Sequence, residues 1–424
     1  MEGSHADGHN FLQEAVEDGA AALLVSREHR DAAVSVARGI PVFDVTDTLT
    51  GLQTLAASYR TLVNPRVVAV TGSTGKTGTK DFIASILSSR FHVHATPGNL
   101  NNHIGLPLTM LGMGGGEEVL VTEMGANHKN EIARLTEIAR PEIGVVMNVG
   151  PVHLEFFHSL KGVASAKAEL VELLPPEGTA VLPADDEFLE FLKKRTEATV
   201  VTVGFSDRAD WRIMNLERRH GIGYIFTIGD LSIEIVRYGR HHVANAAVAA
   251  VVGSLLQVPG DDIKRGIANT RVPDGRGVLF DVDGILFVDD SYNSNPVSLS
   301  AAVEAFMEIP LEGTRWLVLG DMLELGEASK ELHGEAGIVC GKAGVAGLVT
   351  LGEETVELNR QAAVQRKAPP HISHFIDTEK LAAYLNGFLN RGDGVLVKGS
   401  RAMHMEKVIE GVEKLRDTGR RRVG

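Results

Sequence analysis

The stretch Val67 to Thr79 constrains this chain more than any other. It reads Val-Val-Ala-Val-Thr-Gly-Ser-Thr-Gly-Lys-Thr-Gly-Thr. A β-branched apolar run meets a loop bracketed by Gly72 and Gly75, and Lys76-Thr77 then opens an apolar-periodic segment. The order is strand, phosphate-cradling loop, helix N-terminus. The backbone N–H groups of such a loop, together with the helix dipole, favour a polyphosphate. Lys76 is placed to reach the terminal phosphates, and the Thr77 hydroxyl suits Mg²⁺. The strict eight-position motif has glycine at position 70, where this chain has Val70. The loop is therefore the shortened form Thr71-Gly72-Ser73-Thr74-Gly75-Lys76-Thr77. The bland alternative is an ordinary turn with a surface lysine. Gly-Lys-Thr at a β-to-α junction argues against it.

A chain of 424 residues exceeds one core, so two or three domains are expected. The net charge of −13 argues against a nucleic-acid-binding surface. A bound anionic nucleotide has to be held by local positive groups and metal ions against that background. Cys340 is the one cysteine, which excludes a disulfide framework or a zinc cluster and fits a reduced, buried thiol. No signal peptide or membrane-length apolar run reads from the sequence. A cytoplasmic monomer without membrane insertion is the expectation.

Along the chain, residues 1–63 suggest the back half of a small α/β unit. Strands are expected at Ala21–Val25 and Pro41–Val45, followed by a helix at Thr48–Leu62 with Leu49, Leu52, Leu55 and Leu62 on its apolar face. Residues 64–272 alternate strand, loop and helix, which means a parallel sheet with ligands at the carboxyl ends of its strands. Strands Val119–Glu123 and Ile143–Asn148 place Glu123 and His153 at that edge, beside the phosphate loop. Between Thr179 and Val236 the pattern turns to short strands, with a hairpin signal at Gly229-Asp230, and reads as an antiparallel appendage. Asn269 to Gly277 is turn-rich and marks a boundary. Residues 273–424 then read as a second, Rossmann-like α/β domain, with strands at Trp316–Leu319, Gly347–Leu351 and Gly394–Lys398. The basic tail Arg420–Arg422 reads as solvated.

Several further strings specify more than a nucleotide site. They are Thr96-Pro-Gly-Asn-Leu-Asn-Asn-His-Ile-Gly105, Glu123-Met-Gly-Ala-Asn127, Asn148 to Leu154, Ala166-Lys167 and Gly239-Arg-His-His-Val-Ala-Asn245. Asp289-Asp-Ser-Tyr-Asn-Ser-Asn-Pro296, Leu319-Gly-Asp-Met-Leu-Glu-Leu-Gly326 and Val397-Lys-Gly-Ser-Arg401 complete the set. Together they resemble the Mur ligases, which build the peptide of bacterial cell-wall precursors. The resemblance implies a three-domain architecture and ATP-driven amide formation through an acyl phosphate. The Asp-Ser-Tyr-Asn and Gly-Asp-Met-Leu-Glu strings are similar to those of the member that joins D-alanyl-D-alanine to UDP-N-acetylmuramoyl-tripeptide. A related ligase acting on another acidic substrate, and an ATP-binding module without catalysis, stay open as alternatives.

The resemblance also assigns roles. Gly72, Ser73, Thr74, Gly75, Lys76 and Thr77 hold phosphates, with Asn245, Arg276 and Asp290 completing the ATP site. Thr77 and Glu123 hold one Mg²⁺. His153 holds a second, together with Lys167 if that lysine is carbamylated to N6-carboxylysine. Lys76, Glu123, His153 and Lys167 carry the catalysis. Asn99, Asn101 and Asn102 face the sugar-peptide. Asn293, Asn295, Lys398 and Ser400 lie around the dipeptide or the phosphates. Carbamylation needs a neutral amine. On a helix, Lys167 neighbours Val163, Leu170 and Val171, while Glu169 and Glu172 are not placed to pair with it. Asp321, Glu324 and His333 read as partly structural, Glu324 as a helix-capping acid. Members of the family usually carry more sequence ahead of the Asp-Gly-His-x-Phe motif found here at Asp7–Phe11. A truncated first domain with exposed apolar surface is therefore expected.

Overall fold

The computed structural model describes residues 6–219 and 222–423. Of the opening segment, residues 1–5 lie outside the described part. Strand Arg66–Thr71 is buried along Val67 to Thr71. A continuous apolar run buried on both faces is what a central parallel strand requires. Its neighbours follow from the chain order. The seven strands of the sheet lie in the order 93–95, 119–123, 66–71, 143–146, 179–183, 199–204 and 211–212, all parallel. The chain leaves strand 66–71 on one side and returns on the other. That reversal opens a crevice at the carboxyl ends of the strands. Helix Lys76–Leu87 buries Phe82, Ile83, Ile86 and Leu87 at helical spacing against the sheet.

The antiparallel appendage is smaller than the sequence suggests. Strands Thr179–Pro183 and Thr199–Gly204 continue the parallel sheet. Only Met214–Arg219, Gly223–Ile228 and Leu231–Ile235 form the antiparallel unit. The hairpin signal at Gly229-Asp230 belongs to its last two strands and says nothing about the apolar runs before it.

A second seven-stranded sheet follows in the order 371–375, 347–351, 315–320, 394–398, 285–290, 278–282 and 421–422. Its first five strands are parallel, and the hairpin turning at Asp283-Gly284 adds an antiparallel strand. Strand His371–Phe375 was not legible, because His-Ile-Ser-His-Phe is short and edge-placed. The basic tail differs from expectation. Arg421 and Arg422 pair with Asp281 and Phe280 as an edge strand, their side chains remaining exposed. Arg420 grips both carboxylate oxygens of Glu413 at 2.6 and 2.9 Å. No helix among the described residues is long and apolar enough to cross a membrane.

The N-terminal unit pairs Leu23–Ser26 with Val42–Val45 in parallel and leads into helix Thr48–Val63. The helix buries Thr48, Gln53 and Ala56, not the leucine face expected. Leu55 and Leu62 are 52% and 79% exposed. Polar side chains decide its orientation. Gln53 donates to the His103 carbonyl and accepts from Arg134 Nε at 2.9 Å, Tyr59 donates to the Met113 carbonyl, and Arg60 donates to the carbonyls of Ala139 and Arg140. Phe43 and its strand partner Leu24 are exposed. Replacing Leu62 with Gln should therefore shift stability by less than about 0.5 kcal/mol. Ala56→Leu, which overfills a fully buried position, should cost about 1–3 kcal/mol. Thermal unfolding of the two variants checks this contrast.

Candidate active site

Sheet order sets the site. Glu123 ends one neighbour of the phosphate-loop strand, and Asn148 to His153 follow the other. The loop is stapled between them. Thr74 N–H donates to Asn148 Oδ1 at 2.9 Å, and Asn148 Nδ2 donates back to Thr74 Oγ1 at 2.8 Å. Ser73 Oγ accepts from Gly150 N–H at 2.8 Å, and Thr71 Oγ1 donates to the Met124 carbonyl. Sequence reasoning quoted Asn148 within a string but missed this clamp. Its place just past a strand end, like that of Glu123, was the available signal. Asn148→Ala removes all three hydrogen bonds its side chain makes to Thr74, the third being from Nδ2 to the Thr74 carbonyl at 3.3 Å. The Kd for ATP should rise about tenfold, equivalent to one or two hydrogen bonds, by calorimetric titration.

Gly75 opens helix 76–87 at φ +80°, a left-handed value that favours glycine. A Cβ on Gly75 would lie 2.7 Å from Asn245 Oδ1, and one on Gly78 would lie 3.1 Å from Asn245 Nδ2. Helix Arg240–Leu255 thus brings the buried Asn245 amide directly onto the loop. This close approach accounts for a glycine at position 78 inside a helix.

Three charged groups face one another around the loop. Lys76 Nζ folds back to donate to the Gly72 carbonyl at 2.8 Å. Burial lowers its pKa, the Glu123 carboxylate opposes that shift, and Arg276 adds to it. Thr77 Oγ1 donates to Glu123 Oε2 at 2.6 Å, and Asn101 Nδ2 donates to Glu123 Oε1 at 2.7 Å. Glu123 is itself buried. Lys167, on helix Leu160–Glu172, is 1% exposed among Val163, Leu170 and Val171. Burial, helped by the charge of Lys76, lowers its pKa from 10.5 to about 7. Glu169 is occupied elsewhere, accepting from the N–H groups of Asn130 and Ala133 at 2.7 and 2.9 Å. The Glu169 and Glu131 carboxylates still oppose the shift from a distance, and no ion pair to Lys167 is formed among the described residues.

These groups line a cavity of about 740 Å³ whose opposite wall comes from the C-terminal sheet and the 270–277 segment. Arg276 lies 4.0 Å from the centroid of the Tyr292 ring, a cation–π contact that holds the guanidinium at the cavity. Lys398 Nζ pairs with Asp290 at 2.6 Å and donates to the Asn293 carbonyl at 2.9 Å. Asn99 and Asn293 line the cavity. Other assigned side chains also make bonds within the protein itself. Asn295 also borders the cavity, but its side chain caps helix Pro296–Glu308 by accepting from Ser298 N–H. Asn102 also lines the cavity, while its Oδ1 accepts from the N–H groups of Ile104 and Gly105, which is turn chemistry. Ser400 is not on the cavity wall; its buried Oγ accepts from Leu323 N–H. Glu324 caps no helix. Its carboxylate bonds His153 Nδ1 instead. Burial holds the His153 imidazole below its ordinary pKa, against the pull of Glu324. Asp321 and His333 are structural, accepting from Thr355 N–H and Met322 N–H.

Comparison with known proteins follows this geometry closely. The Mur ligase middle domain matches residues 70–253, and the Mur ligase, glutamate ligase domain matches residues 275–401. The UDP-N-acetylmuramoyl-tripeptide–D-alanyl-D-alanine ligase of Escherichia coli (strain K12) is 36% identical over 426 residues, covering 98% of this chain and 90% of that protein. The chain belongs to the Mur ligase family. The ligase of the same name from Bacillus subtilis (strain 168) is 33% identical over 413 residues, 97% of this chain and 88% of its own. Among solved structures, the MurF ligase of Thermotoga maritima in complex with ADP superimposes with a TM-score of 0.86 at 30% identity, covering 98% and 94% of the two chains.

A Mur ligase site must accept triphosphate and cations, and the residues present fit both. The Thr77 hydroxyl and a Glu123 carboxylate oxygen, 2.6 Å apart beside the phosphate loop, are the hard oxygen donors that Mg²⁺ takes. Lys76 carries a movable ammonium whose present partner is only a loop carbonyl.

Proposed function

We propose that this chain is a cytoplasmic ATP-dependent amide ligase that joins D-alanyl-D-alanine to the tripeptide carboxylate of UDP-N-acetylmuramoyl-tripeptide. The observation that carries the reading is convergence. Lys76, the Thr77–Glu123 pair, His153 and Lys167 line one cavity between the two large domains. The relatives that carry this activity in their names align over 97–98% of the chain. The domain limits 1–63, 64–272 and 273–424 belong to the same proposal.

The reaction has two steps. The tripeptide carboxylate attacks the γ-phosphorus of ATP, forming an acyl phosphate and releasing ADP. The dipeptide amine then attacks the acyl carbon, and phosphate leaves the tetrahedral intermediate. Both steps gather negative charge on phosphoryl oxygens, so the protein acts mainly by positioning and preorganised charge. Lys76 leaves the Gly72 carbonyl for the phosphates. Asn148 holds Thr74, and with it the loop N–H groups, in place. Asn245 and Arg276, both on the cavity wall, bound the nucleotide, and Asp290 is kept at the cavity by Lys398. Asn99 and Asn101 flank the carboxylate-bearing substrate, Asn101 orienting Glu123. Thr77 and Glu123 would hold one Mg²⁺, and His153 with carbamylated Lys167 a second, neutralising the phosphate oxygens. Lys167 can take that form because a buried amine of pKa about 7 has a large neutral fraction at neutral pH. The ammonium first gives up one proton; the neutral nitrogen then adds to CO₂ and loses a second, so a cation becomes an anion.

Phosphate release from ATP, measured with each substrate omitted in turn, tests the reading. Release that requires both the UDP-linked tripeptide and D-alanyl-D-alanine is expected. Release without either, or only with another amine, would exclude it.

A further inference from the structure

His153 and Glu324 come from different domains and meet at one hydrogen bond. His153 follows strand Ile143–Val146 and sits at φ +50°. Glu324 lies in the loop after strand Arg315–Gly320, at φ +62°. The two loops pack backbone to backbone. A Cβ on Gly326 would lie 3.0 Å from Glu155 Cα, and Glu155 N–H points to the Glu324 carbonyl at 3.4 Å. This contact places the Glu324 carboxylate on His153 Nδ1. An ionised carboxylate only accepts, so the imidazole donates from Nδ1 and carries its lone pair on Nε2. His153 lines the phosphate cavity, and Nε2 makes no hydrogen bond among the described residues.

We propose that Glu324 is a positioning residue of this ligase: reaching across from the C-terminal domain, it sets the tautomer and orientation of His153 so that Nε2 is the nitrogen offered to a cation in the cavity. The inference rests on the reading of His153 as a cation ligand. A carboxylate behind a ligating histidine raises its basicity and restricts its rotation. Because the carboxylate belongs to the other domain, the ligand is fully oriented only while the two domains touch. The bland alternative is a surface ion pair. His153 and Glu324 side chains are 26% and 44% exposed, so as an ion pair alone they contribute little to stability. The two accounts differ in what a substitution changes: cation affinity in one, nothing measurable in the other.

The test titrates Mn²⁺ into the ADP-bound full chain and follows free Mn²⁺ by electron paramagnetic resonance. The chains compared are the unaltered one, Glu324→Ala, Glu324→Gln and His153→Ala. His153→Ala should abolish one class of Mn²⁺ site. Glu324→Ala should weaken that class by about 10- to 100-fold while the thermal midpoint hardly moves. Glu324→Gln, whose amide oxygen still accepts from Nδ1–H, should fall between, and it carries the test if the alanine variant folds poorly. Unchanged Mn²⁺ binding in both Glu324 variants, with the site lost in His153→Ala, overturns the positioning role and leaves the ligand reading intact. Unchanged binding in His153→Ala overturns both.

Discussion

Lys76→Ala should lower the rate of substrate-dependent phosphate release by about a thousandfold, with the fold intact. Removing one preorganised charge aimed at developing negative charge costs about 3–4 kcal/mol of transition-state stabilisation, a factor of about 10²–10³. Lys76 belongs at the upper end for two reasons. It lines an interdomain cavity, half-buried there, where a charge interacts more strongly than in water. Its resting partner is a single loop carbonyl, so turning to the phosphates gives up only about 1 kcal/mol. Burial depresses its pKa in the ligand-free protein, and a bound triphosphate would restore the ammonium. The loss should appear in kcat more than in nucleotide affinity, since Asn148 still holds the loop. A variant turning over within tenfold of the unaltered chain would remove Lys76 from phosphoryl transfer. Steady-state phosphate release with calorimetric nucleotide binding separates the two parameters.

Lys167→Ala should lose about 10²- to 10³-fold in turnover and regain part of it when a short carboxylate such as propionate is added. Lys167 is 1% exposed, forms no ion pair among the described residues, and has its pKa drawn down to about 7. If it stayed an ammonium it would add a second positive charge beside Lys76 and no ligand for a cation. As a carbamate it supplies an anionic oxygen, which is what an added carboxylate can imitate. Lys76→Ala should show no such rescue. Labelled ¹³CO₂ should give a carbamate carbon signal in the unaltered chain that Lys167→Ala lacks. Full activity in Lys167→Ala, or loss without rescue and without the labelled signal, contradicts the carbamate.

The phosphate loop, strand Val119–Glu123, a strand from Ile143 that ends at Val146 rather than at Asn148, and the hairpin at Asp283-Gly284 were readable because local chemistry determines them. An apolar run, a glycine bracket and a turn dipeptide each act within a few residues. What could not be read depends on distant partners. Helix Thr48–Val63 turns two leucines to solvent because Gln53, Tyr59 and Arg60 find carbonyls and an arginine more than forty residues away. Glu324 resembles a cap in sequence because its true partner, His153, lies 171 positions earlier. Ser400 and Asn295 stand in motif strings, yet their side chains serve Leu323 and Ser298. A motif marks a neighbourhood; which of its polar groups face the cavity is settled by the packing of the loop that carries them.

The central claim is that the cavity between the domains couples ATP cleavage to one amide bond. The direct measurement is mass spectrometry of the UDP-linked product, run alongside quantitation of ADP. The account predicts one UDP-N-acetylmuramoyl-pentapeptide, heavier than the tripeptide by a dipeptide residue, for each ADP formed. ADP accumulating without that product, or a product carrying a different amine when D-alanyl-D-alanine is also present, would contradict it.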